Sequence, residues 1–67
     1  METGGAELDG QVLFEFTQIG GQIRVAAIHA NTGTEVVVVA PLSAPKSQMQ
    51  RVALAKLKRR VQKEGGH

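Results

Sequence analysis

The sequence predicts an α+β fold: a three-stranded antiparallel meander (β-β-β) followed by one C-terminal α-helix packed on one face of the sheet. Three observations lead there. Val36-Val37-Val38-Val39, with Ala40 after it, is an unbroken β-branched run, the pattern of a strand buried on both faces. Gly20-Gly21 and Asn31-Thr32-Gly33 punctuate the chain between apolar stretches, where hairpin turns join neighbouring strands. From Pro45 to Lys63 the apolar residues change to helical spacing.

Met1 to Gly10 is glycine-rich, acidic and without periodicity, and is expected to be a disordered tail (residues 1–10). The domain proper is expected over 11–64, with a flexible end at 65–67. Val12 to Thr17 reads as the first strand. Gly20-Gly21 then makes a two-residue turn, with positive φ expected at both glycines. Ile23 to His29 returns. If Ile19 pairs with Gln22, Phe16 faces Val25 and Phe14 faces Ala27. A four-residue loop, Ala30 to Gly33, leads into the third strand, and pairing His29 with Thr34 sets Ala27 opposite Val36. Pro41 has no N–H for the ladder and ends that strand.

This register sorts the side chains. Val12, Phe14, Phe16, Ile23, Val25, Ala27, Val36, Val38 and Ala40 share one face, which the helix is expected to cover. Leu13, Ala26, Ile28, Val37 and Val39 share the other, rimmed by Glu15, Arg24 and Glu35. An apolar centre with a polar rim is the anatomy of an interaction patch. For the helix, Ser43 or Ser47 is the expected cap, Ala53, Leu54, Leu57 and Val61 with Met49 form the docking stripe, and Gly65 is the expected stop. One helix covers one face only. The second face therefore calls for a cover from outside the chain, most simply a second copy, and a homodimer is expected, with edge-to-edge pairing through strand one or strand three as the alternative mode.

Length sharpens that point. A chain of 67 residues is marginal alone, and its lack of cysteine leaves no disulfide to help. The expected setting is cytoplasmic: no secretory leader is legible, and the longest apolar run, Val36 to Leu42, falls far short of the ~20 residues of a membrane span. The charge is lopsided. Residues 1–43 hold Arg24 against five acids, net −4, whereas residues 44–67 hold seven cations against Glu64, net +6. A polyanion is thus the competing partner, met by the helix exterior through Arg51, Lys56, Lys58, Arg59, Arg60 and Lys63. The homodimer reading is preferred, because lysine and arginine are ordinary on solvated helix faces.

An enzyme is not expected. His29 falls at a strand end beside a turn, the serines at expected cap positions, and no tyrosine, tryptophan or cysteine is available as nucleophile or base. Gly20-Gly21 joins two strands rather than opening a helix, unlike a phosphate-binding loop. No catalytic, cofactor or metal site is assigned.

The stretch from Leu13 to Val61 resembles a family of short uncharacterised proteins found mainly in alphaproteobacteria. The likeness rests on Phe14-Glu15-Phe16, Gly20-Gly21, Ile28 with Thr32-Gly33-Thr34-Glu35-Val36, Ser43-Ala44-Pro45, and Val52-Ala53-Leu54-Ala55-Lys56-Leu57. It implies a shape and carries no activity. A weaker likeness, to the sheet-plus-helix half of double-stranded RNA-binding domains, lacks their opening helix and their lysine cluster at the start of the last helix. The function expected is a small self-associating protein-interaction module, with nucleic-acid binding by the basic helix as the alternative.

Overall fold

A computed structural model describes residues 10–64. Three strands, β1 (Val12–Ile19), β2 (Gln22–His29) and β3 (Glu35–Pro41), precede a helix, α1 (Lys46–Glu64). The strands form one antiparallel sheet in the order β1-β2-β3, so β2 is central and β1 and β3 are edges. The expected tail, apart from Gly10, and the stretch 65–67 with the expected helix stop at Gly65 lie outside the described residues.

The strand register agrees pair for pair with the sequence. Ile19 faces Gln22, Phe16 faces Val25 and Phe14 faces Ala27. Val25 faces Val38, Ala27 faces Val36, and the His29 amide donates to the Thr34 carbonyl at 2.8 Å. Agreement follows because both turns are short, and side chains of period two punish a one-residue slip by inverting both faces.

The core lies between sheet and helix. Ile23, Val25, Ala27 and Val36 meet Met49, Ala53 and Leu57, all buried, with Leu54 and Val61 half-buried beside them. Ala53 and Ala27, both fully buried, let the helix backbone approach the central strand closely.

Four local expectations are corrected. Only Gly20 of the turn pair has positive φ, at 60°, which is the pattern of a type II′ turn, so Gly21 needs no special conformation. Neither serine caps the helix. The Pro45 carbonyl receives the first helical bond from the Met49 amide, and Ser47 lies inside the first turn. The helix starts at Lys46, one residue after the expected Pro45, and ends at Glu64 rather than Lys63. Lastly, α1 packs mainly on β2 and β3, so Phe14 and Phe16 on β1, expected beneath it, join the core only half-buried.

Candidate functional site: the uncovered sheet face and its neighbours

Alternation of the strands sends Leu13, Glu15, Thr17 and Ile19 of β1 to the face opposite the helix. They stand there with Arg24, Ala26 and Ile28 of β2 and Glu35, Val37 and Val39 of β3. Crosswise rows run Leu13–Ile28–Glu35, then Glu15–Ala26–Val37, then Thr17–Arg24–Val39. All five residues expected at the interface therefore share one uncovered face. They do not share one exposure. Leu13 is 45% exposed and Val39 57%, Ile28 and Val37 are half-buried, and Ala26 is fully covered. Its methyl group sits in the central strand among longer neighbours and forms the floor of the patch rather than its contact surface. The sequence reading omitted Ile19, 57% exposed at the end of the same row of β1 residues. The signal was available in the period-two series Leu13, Glu15, Thr17, Ile19.

The basic residues are not one patch. Lys56, Arg59, Arg60 and Lys63, with Val52 and Ala55, line a shallow groove along the helix. Arg51 and Lys58 lie off it; seven residues apart, they share a different stripe of the helix surface. Lys56 is tied to the sheet, because its Nζ donates to the Val37 carbonyl at 2.9 Å on the open side of β3. At the other end of the helix, Lys46 Nζ stands 5.6 Å from the centroid of the Phe16 ring, within reach of a cation–π attraction.

His29 is 3% exposed on the helix side of the sheet, at the end of β2. The Thr32 hydroxyl donates to Thr34 Oγ1 at 3.0 Å, and the Thr34 hydroxyl donates to Glu64 Oε1 at 2.9 Å. With the one Thr32 proton committed, the 2.9 Å contact between His29 Nδ1 and Thr32 Oγ1 assigns the donating proton to Nδ1. Thr32 Oγ1 also accepts from the Thr34 amide at 3.2 Å. The chain of donors runs one way, from imidazole to carboxylate, and fastens the β2–β3 turn to the last turn of the helix. Each link is an ordinary structural hydrogen bond. Glu15 and Glu35 stand exposed on the uncovered face, on different strands and in different rows.

Among the described residues, no three His, Cys, Asp or Glu side chains come together as a metal site, and no helix is long and apolar enough to cross a membrane. Comparison with known families adds an assignment. A family model described as "Domain of unknown function (DUF6898)" matches residues 9–64. The chain belongs to this family. The match takes in the three described strands, both turns and the whole of α1. Nothing among curated proteins or solved structures matches this DUF6898 chain.

Proposed function

We propose that the chain is a non-enzymatic, self-associating protein-interaction module that uses the uncovered sheet face as its interface. The observation that carries this reading is the company kept by Leu13, Ile19 and Val39. Three large apolar side chains, each 45–57% exposed, share a face that no element among the described residues crosses. Apolar surface of that kind gains roughly 25 cal/mol for each Å² removed from water. A second copy is the simplest cover, because an isologous contact needs only one patch. A bacterial, cytoplasmic setting, in alphaproteobacteria as the resemblance implies, belongs to the same proposal.

The test is a change of mass in sedimentation equilibrium. Val39 is exposed, so Val39→Asp leaves the protomer's own core alone while burying a carboxylate in the contact, a cost of several kcal/mol. Wild type is expected to be heavier than one chain of 7.1 kDa, and Val39→Asp lighter than wild type. Arg59→Glu, on the far side of the molecule, is expected to leave the mass unchanged. A Val39→Asp variant that assembles as wild type does would overturn the interface.

A second reading is favoured by the helix groove, where Lys56, Arg59, Arg60 and Lys63 gather four cations on one stripe. Binding there would be electrostatic and largely independent of sequence. Shift assays on mixed duplex DNA and RNA would show retention that fades steeply as salt rises. No retention at low salt removes this reading.

A further inference from the structure

We infer that a second copy of this chain also joins through the edge of β1, which is open among the described residues, pairing β1 with β1 antiparallel about a two-fold axis centred on Phe16 and extending the sheet to six strands. The two edges of the sheet are not equivalent. The Ala30 amide donates to the Gln11 carbonyl at 2.9 Å, so alternation along the ladder turns the amides and carbonyls of Val12, Phe14, Phe16 and Gln18 away from β2. On β3 the bond from His29 to Thr34, and that from Leu42 to Gly21 at 3.3 Å, turn Glu35, Val37 and Val39 outward instead. That second edge is defended. Lys56 occupies the Val37 carbonyl, Pro41 has no N–H to offer, and the cationic groove runs alongside. Charged lysine and proline are how edge strands avoid pairing. β1 has no proline, and the lysine nearest to it, Lys46, stands over the Phe16 ring and not on a backbone carbonyl; the strand is eight residues long.

Register decides whether the partner is a copy. Only residues with outward amides can form hydrogen-bonded pairs, which restricts the two-fold centre. Centred on Glu15, the pairing sets two carboxylates opposite each other, at roughly 4.5 Å between Cα atoms. Centred on Phe14 or Thr17, it overlaps only five residues of the strand. Centred on Phe16, it overlaps residues 13–19 and pairs Leu13 with Ile19, Glu15 with Thr17, Phe14 with Gln18, and Phe16 with its own counterpart. Leu13 and Ile19, both exposed on the uncovered face, thereby cover each other twice. On the helix side, the half-buried phenylalanines of both copies meet over the seam, at the edge of each helix, with Lys46 over the Phe16 ring.

The extent of surface points the same way. Three strands about 4.8 Å apart and eight residues of about 3.4 Å give a face of roughly 400 Å² in projection. Accessible area exceeds this projection because side chains stand out from the sheet. One face therefore makes a contact at the small end of those that hold, where roughly 800 Å² from each partner is usual. Edge pairing doubles the face that one dimer can present to another. It rests on the backbone of β1 and not on the uncovered face, so either contact can fail without the other.

Gln18→Pro tests the edge. The Gln18 amide points to solvent in the lone protomer, where proline on an edge strand is tolerated, but it bonds to Phe14 of the second copy in this pairing. Expected masses are four chains for wild type, half that for Gln18→Pro, half that for Val39→Asp, and a single chain for the two changes together. A folded Gln18→Pro variant with wild-type mass overturns the edge contact and leaves the face contact standing. Loss of mass in Gln18→Pro but not in Val39→Asp does the reverse. Since proline could instead prevent folding, the double variant Glu15→Cys with Thr17→Cys, made in this cysteine-free chain together with Val39→Asp so that the face contact is lost, gives an independent answer. Opposed at close spacing, these thiols are expected to form a covalent dimer on mild oxidation. A product that stays monomeric on a non-reducing gel overturns the pairing.

Discussion

Gly20 and Gly21 sit side by side in one turn and ask opposite things of the backbone. Gly20 holds φ at 60°, where a Cβ costs about 1–2 kcal/mol, although open space surrounds it. Gly21 has no positive φ, and a Cβ there would also meet open space. Chemical denaturation should therefore separate two identical replacements. Gly20→Ala is expected to lose about 1–2 kcal/mol, whereas Gly21→Ala is expected to be neutral or to gain up to about 1 kcal/mol by restricting the unfolded chain. Equal losses would mean that the turn is not of the II′ kind. Gly10 combines both constraints, with φ of 95° and the Asn31 side chain 2.6 Å from where a Cβ would stand.

The helix shows how one element divides its circumference among unlike tasks. Met49, Ala53 and Leu57 face the sheet, and Leu57 is among the largest fully buried side chains. Leu54 lies on the flank toward the less covered side and is only half-buried. Leu57→Ala should thus cost about 2–5 kcal/mol, and Leu54→Ala distinctly less, in urea titrations that compare midpoints at constant slope. In a chain this short the larger loss is a substantial fraction of total stability. The opposite side of the same helix carries Lys56 to the β3 edge and the cationic groove beyond it. Its last turn is held to the β2–β3 loop by Glu64 through Thr34 and Thr32. A stripe of small and medium apolar residues sufficed to place the helix on the sheet. Its sideways position, over β2 and β3, depended on contacts that no periodicity encodes.

For the whole molecule, the consequence is a sheet with more apolar surface than its own helix can hide. Only β2 is shielded by strands on both sides, and the large apolar residues left most exposed on the sheet belong to its two edges. Association that covers them stabilises the folded state by mass action. The melting temperature is accordingly expected to rise with each tenfold increase in chain concentration, by roughly 3–6 °C for a dimer and about half as much again for a tetramer, given the unfolding entropy of a chain of this length. Differential scanning calorimetry over two decades of concentration reads this directly. A melting temperature independent of concentration would contradict self-association by face and edge alike.

Turn chemistry and period-two alternation were enough, read from the residues alone, to set three strands in register and to sort Leu13, Ala26, Ile28, Val37 and Val39 onto one face. These are local rules, and each residue obeys them regardless of what packs nearby. Tertiary structure decided how much of each side chain remains in contact with water: Ala26 sealed by its neighbours, Ile19 exposed, Phe14 and Phe16 half-buried at the edge of the core. It also divided six basic residues into a groove of four and two outside it, and it obstructed one sheet edge with Lys56 while the described residues leave the other open. Those outcomes depend on where a helix of 19 residues settles across a three-stranded sheet. That position is a balance of packing among distant residues, to which no short stretch of chain has access.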